Sequence, residues 1–150
     1  MQTYERTQHA MWMWFILIPI VAIIIAAWFN SQNAAALAPC AVATASIALV
    51  LSIFMKLSIR VDASAVTWHF GYGWPGGAIA LGDIAKAEVT QTNLLEGWGL
   101  HWTIWHGWLW NVAGFQAVEI TKSNGDRVTL GTDDPQGLSQ AIERFRRGAA

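Results

Sequence analysis

Two stretches of this chain carry no charge at all, and they constrain its fold more than anything else in it. Residues 11–29 read MWMWFILIPIVAIIIAAWF and residues 34–55 read AAALAPCAVATASIALVLSIFM. A helix over the first stretch would rise about 28 Å, close to the roughly 30 Å of hydrocarbon in a bilayer. Trp12 and Trp14 stand at one end and Trp28 at the other, where aromatic side chains anchor a span at both interfaces. Pro19 is tolerable in a spanning helix if neighbours re-satisfy the freed carbonyl. The run is too long for the core of a cleaved signal peptide, and no small-residue cleavage site follows it before the second run. Only Asn30-Ser31-Gln32-Asn33 separates the two runs. The second is rich in alanine, and small residues let two helices approach closely. The expectation is an antiparallel two-helix transmembrane hairpin over 11–56, preceded by an N-terminal segment, 1–10.

Charge next to these runs sets an orientation. Arg6 precedes the first run, Lys56 and Arg60 follow the second, and the connection has no basic residue. The positive-inside rule then puts both termini, and the domain that follows, in the cytoplasm. No ionisable side chain lies within either run, which argues against a proton relay, an ion path or a histidine-ligated haem there. Charged residues make up 13% of the chain, against about a quarter in soluble domains. The net charge of −1 offers no basic face, so nucleic acid is excluded as a partner. The single cysteine, Cys40 beside Pro39, excludes an internal disulfide and a multi-cysteine metal site. It reads as a small buried apolar residue.

From Leu57 the apolar period changes to two. Leu57, Ile59 and Val61 alternate with polar residues, as do Val66, Trp68 and Phe70, with Ala63-Ser64 as the turn. Gly71-Tyr72-Gly73-Trp74-Pro75-Gly76-Gly77 lacks the lysine and hydroxyl of a phosphate loop and reads as a bulged aromatic turn. Ala78 to Leu81 resumes a strand, Gly82-Asp83-Ile84 turns, and Ala87 and Val89 continue to about Gln91. Asn93 to Gly99 reads as a loop. A hairpin follows, with Leu100, Trp102 and Ile104 on one face, His101, Thr103 and Trp105 on the other, and His106-Gly107 as its two-residue turn. Trp108, Trp110 and Val112 return. Strands over 117–122 and 127–130 flank Ser123-Asn124-Gly125-Asp126. Asp134 caps a final helix, 135–147, with Pro135 at its first position. Leu138, Ala141, Ile142 and Phe145 form its buried stripe.

Trp68-His69-Phe70-Gly71-Tyr72-Gly73, Leu81-Gly82-Asp83-Ile84, Gly97-Trp98-Gly99, Trp108-Leu109-Trp110-Asn111-Val112 and Ala117-Val118-Glu119-Ile120 come in that order. Gly131-Thr132-Asp133-Asp134-Pro135 then leads into the helix. In this order the chain resembles the bacterial pleckstrin-homology-like (PH-like) domains carried on membrane hairpins. The resemblance covers about two thirds of the chain. It implies a PH-like seven-stranded antiparallel barrel over 57–150, capped by the C-terminal helix and anchored in the bacterial inner membrane. It implies a binding or scaffolding role and no catalytic residues. Leu100-His101 and Pro75-Gly76-Gly77-Ala78 stand where basic residues are common in such domains. From residue 57 on there are seven basic against nine acidic side chains, which speaks against anionic head-group recognition.

The candidate chemistry is thin. His69, His101 and His106 fit no zinc spacing. Asp133 and Asp134 are explained by capping and the helix dipole. Glu119 reads as part of a solvated strand face, and no nucleophile motif stands out. The reading is therefore no enzyme, no cofactor and no metal. Tryptophan remains: Trp98, Trp102, Trp105, Trp108 and Trp110 fall within thirteen residues, and alternation spreads them over both faces. Trp98, His101, Trp105, Trp108 and Trp110 form the candidate interaction surface, since indole suits protein and membrane interfaces alike. The expectation is a non-enzymatic accessory or assembly subunit whose domain binds a partner protein in a larger membrane complex. The alternative is a lipid-sensing or lipid-binding module at the membrane surface. The lipid bilayer, a protein partner and a second copy of the chain are the partners considered.

Overall fold

The structure, a computed structural model, describes residues 3–31, 34–93 and 99–149. Its described part begins with a strand that the hydrophobic pattern did not announce, β1 (Tyr4–His9). Two helices follow, α1 (Met13–Ser31) and α2 (Ala34–Phe54). Next come β2 (Lys56–Val61), β3 (Ala65–Phe70), β4 (Gly76–Ala80), a short 3-10 turn at Leu81–Asp83, and β5 (Ile84–Gln91). Strands β6 (Gly99–Thr103), β7 (Gly107–Asn111), β8 (Gln116–Lys122) and β9 (Arg127–Gly131) precede α3 (Pro135–Ala149).

The strands form two sheets, ordered β1-β2-β3-β4 and β5-β8-β9-β7-β6. They do not close into a barrel, and β7 runs parallel to β9 with Trp108 beside Val128. This corrects the expected seven-stranded antiparallel PH-like barrel. The physical reason lies at the edges. β1 adds a fourth strand to the first sheet, and among the described residues β6 is the last strand of the second sheet.

β1 pairs with β2 along its whole length, Tyr4 opposite Val61 and His9 opposite Lys56. Residues 4–9 therefore belong to the β domain, and the helical pair is an insertion between two paired strands. β1 escaped the pattern because only Tyr4 is apolar in YERTQH. It is an edge strand carrying Glu5 and Arg6, the kind of charge that guards an edge.

Among the described residues no helix is long and apolar enough to cross a membrane. This corrects the transmembrane hairpin over 11–56, the multi-pass inner-membrane placement and the orientation drawn from it. In α1 the apolar part ends before Asn30 and Ser31, and 17 residues from Met13 rise only about 25 Å. α2 is longer but rich in alanine. It carries Thr44, Ser46 and Ser52, whose hydroxyls bond back to Cys40, Val42 and Leu49 carbonyls of the same helix. Trp12, expected at an interface, is held by the β domain. Its indole N–H donates to the Val112 carbonyl at 2.9 Å and its ring packs on the β core. Trp28 is exposed and tilts against Phe29, 5.1 Å between ring centroids. The Trp14 side chain lies outside what is described.

The strand pairing of the first sheet continues to the foot of the helical pair. Ala10 N donates to Met55 O at 2.7 Å, and Gly71 N donates to Lys56 O at 2.9 Å. Gly71 has φ +45°, and a Cβ there would collide with the Ile53 carbonyl, so only glycine fits this approach of the β3–β4 turn to the foot of α2.

The core lies between the sheets. Leu57, Ile59, Val66, Trp68 and Phe70 from the first sheet meet Trp110, Val118, Ile120, Val128 and Leu130 from the second. Alternation on β2 and β3 matches this burial. α3 packs across β5, β8, β2 and the 3-10 turn, closing one side of the sandwich with Leu138, Ala141, Ile142 and Phe145. Its start is capped by Asp134, whose Oδ1 accepts from Gly137 N at 2.9 Å.

Candidate functional site

The β6–β7 hairpin places the tryptophans. Trp102 pairs with Trp108, and Leu100 pairs with Trp110. Paired residues share a face, so all four look toward the first sheet. The hairpin loop is Ile104-Trp105-His106, one residue longer than the expected two-residue turn, with Thr103 paired to Gly107. Gly107 takes φ +65° against the Arg127 carbonyl, a position closed to a side chain.

Cover from the first sheet decides the fate of each indole. Trp110 is 9% exposed and belongs to the core. It stacks on Phe70 at 5.6 Å and meets Trp68 edge-on at 5.6 Å. Its placement in the expected interaction surface is thereby corrected, because β3 covers it. Trp108 is 50% exposed, Trp102 60% and Trp105 71%. Tyr72 and Trp74 of the β3–β4 turn are exposed as well. Trp98 lies outside the described residues.

Between β4 and the inner face of the second sheet the sandwich stays open, leaving a groove of about 360 Å³. Its walls include Trp68, Ile79, Leu100, Trp108 and Trp110, and Lys122 brings the one ammonium among the described residues lining it. No carboxylate or nucleophile lines it among the described residues. The groove can take an apolar or aromatic group with a negative charge at its Lys122 end. It holds no acid–base pair.

A second, polar constellation lies on the other face of the second sheet. Leu109, Thr129 and Glu119 stand in register across β7, β9 and β8, and His101 joins them from β6. His106 Nδ1 donates to Glu119 Oε2 at 3.0 Å. Arg127 lies 3.8 Å from the other carboxylate oxygen and donates to the Trp105 carbonyl at 2.8 Å. Thr129 Oγ1 donates to the His106 carbonyl, and His106 N donates to Thr103 Oγ1, both at 3.0 Å. These bonds clip the Trp105 turn onto the sheet. Glu119, expected on a solvated face, is held in this clip with little exposure. His101 sits half-buried, and its Nε2 is buried without a hydrogen-bond partner among the described residues. Among the described residues no three histidine, cysteine, aspartate or glutamate side chains gather as a metal site.

A third cluster ties β1 to the start of α3. Arg6 binds Asp133 through two hydrogen bonds, 2.9 and 2.8 Å. The Arg6 guanidinium holds the Asp133 carboxyl below its usual range. Tyr4 OH donates to Asp134 Oδ2 at 3.2 Å. Burial, with Asp134 beside it, pushes the Tyr4 hydroxyl from 10.0 up to about 12. Sequence reasoning gave Asp134 its cap but missed this tie, because β1 was not read as a strand.

No protein-family model, curated protein or solved structure matches the chain. With the open sandwich and the absence of a spanning helix among the described residues, this corrects the identification as a membrane-anchored PH-like domain protein.

Proposed function

We propose that this chain is a non-enzymatic accessory or assembly module that binds a partner protein through its tryptophan hairpin. The observation that carries the reading is the set of exposed indoles, Trp102, Trp105 and Trp108, on a hairpin whose turn is clipped to the sheet by His106, Glu119 and Arg127. Exposed indoles on a fixed loop are the residues that dominate protein interfaces, since they bury much area and lose little conformational freedom. Among the described residues, the groove beside them is lined mainly by apolar and aromatic side chains.

The test is affinity capture of the tagged full chain beside a Trp105→Ser, Trp108→Ser variant. A partner in fixed stoichiometry that the double variant releases, while its circular dichroism is unchanged, supports the reading. A partner held equally by both chains, or a chain that elutes alone, overturns it.

One observation favours lipid binding as a second reading. α1 and α2 expose the large apolar side chains Phe15, Ile18, Ile23, Phe29, Val42 and Leu49, and exposed apolar surface on this scale marks an interaction site. Acyl chains could cover it as a protein could. Flotation of the full chain with phosphatidylcholine vesicles separates the two, and a chain left at the bottom of the gradient removes lipid.

A further inference from the structure

Among the described residues β4 has no strand on its outer side, and it forms one wall of the groove. The phase of its hydrogen bonds follows from its two ends. Phe70 N donates to Pro75 O at 2.8 Å, and Leu81 N donates to Ser64 O at 3.0 Å. In an antiparallel pair such bonds fall on alternate residues. Residues 75, 77, 79 and 81 therefore turn their main chain toward β3. Gly76, Ala78 and Ala80 turn theirs outward, and all three are exposed.

Three consecutive residues, Gly77, Ala78 and Ile79, line the groove. Successive side chains point to opposite faces of a strand. The groove touches all three in a row, so it reaches the main chain of β4 as well as its inner face, where Gly77 has no side chain to bar the way. The edge is short and follows Pro75, but it has no charged guard of its own. GGAIA carries no charge and no proline.

The wall behind it is aromatic. Gly77 has no side chain, and a Cβ there would run into the Trp68 ring at Cζ2 and Cε2. Trp68 is 5% exposed, and its Nε1, bonded to that Cε2, is buried with no acceptor among the described residues. Trp108 and Leu100 form the facing wall, and Leu100 belongs to β6, the last strand of the other sheet among the described residues. An extended segment laid here would close the open side of the sandwich, opposite the side α3 closes.

We infer that β4 is a strand-addition site for an extended segment of the partner polypeptide, apolar at alternate positions and acidic at the Lys122 end. The free donors and acceptors of Gly76, Ala78 and Ala80 call for main chain. The aromatic walls call for alternate apolar side chains, and Lys122, which has no ion pair among the described residues, calls for a carboxylate. Five residues of β4 span about 17 Å, enough for two inward side chains. The inference rests on the partner-binding reading above and deepens it.

The probe is a displayed library of random peptides of about ten residues, the length of a long strand, selected on the full chain. Ala78→Pro removes the central outward N–H, which an edge strand tolerates, and Lys122→Glu reverses the charge. The expected peptides alternate apolar residues with an Asp or Glu near one end. They slow amide exchange at Gly76, Ala78 and Ala80, and they bind about tenfold or more weaker to each variant. Peptides that bind both variants undiminished, or no selected peptide, overturn the site. A wild-type chain that sediments as a dimer while Ala78→Pro sediments as a monomer also overturns it, assigning the edge to a second copy. A captured protein partner that survives Ala78→Pro but is lost from the Trp105, Trp108 variant overturns this site and leaves the partner-binding reading standing.

Discussion

Trp110 and Trp108 are two residues apart on one strand and face the same way, yet one is core and the other half in water. The difference is cover. Trp110 lies beneath Phe70 and Trp68, whereas the first sheet ends at β4 before it reaches Trp108. The same face of the same sheet is thus structural at one end and available at the other. Residue type and alternation are identical at the two positions, so the boundary between fold and site is drawn by where the opposite sheet stops.

The largest expected effect tests this contrast directly. Trp110→Ala should lose about 3–5 kcal/mol of stability in urea unfolding, and Trp108→Ala no more than about 1 kcal/mol. Equal losses would mean that Trp108 is core and that the open end does not exist. Gly77→Val sharpens the contrast from the other side. Its side chain would press on the Trp68 ring, and overpacking of this kind costs about 1–3 kcal/mol. A stability unchanged by the valine would show that Trp68 does not form the wall under β4.

Next in size is the closed side. Asp134→Ala removes the cap of α3 and should cost about 1 kcal/mol, read as a lower denaturation midpoint. A neutral result would detach α3 from its role in closing the sandwich. The β1 tie is expected to act through pH. Tyr4 ionises near 10 in the unfolded chain and near 12 in the fold. Its contribution is complete below about pH 10 and is lost as pH rises toward about 12. Tyr4→Phe should therefore flatten the fall of stability across that window, and an unaltered slope would refute the tie.

The smallest effect is expected at Asp133, whose carboxyl is held low by Arg6. Its contribution is present above the unfolded carboxyl value and is lost as pH falls through the lower folded value. Asp133→Asn should remove that part of the acid dependence and make stability less sensitive to salt. Both groups of the pair are well exposed, which keeps the effect small.

Much of the β domain was legible because half-buried strands write alternation into the sequence. β2 and β3 can be read directly from Leu57, Ile59, Val61, Val66, Trp68 and Phe70. α3 was legible from its stripe and from Asp134-Pro135. β1 was not, because an edge strand paired on one side needs few apolar residues. The connection between Thr103 and Gly107 was misread by one residue, since His106 is fixed by Glu119 on a strand thirteen residues away. The uncharged runs were legible as helices, but apolar content alone did not decide what those helices do. That was corrected by the limits of α1 and α2 and by the docking of Trp12 on Val112.

The sequence by itself determined the strand-rich half, the final helix with its cap, and the concentration of indoles near residue 105. Local period and capping chemistry suffice for these, because each depends on neighbours within a few residues. Tertiary structure alone decided that β1 belongs to the sheet and that β7 runs beside β9. It also decided that the sandwich stays open at β4 and that Trp110 is buried while Trp108 is not. Those outcomes depend on which distant strand supplies the cover, and a one-dimensional pattern does not record its own opposite wall.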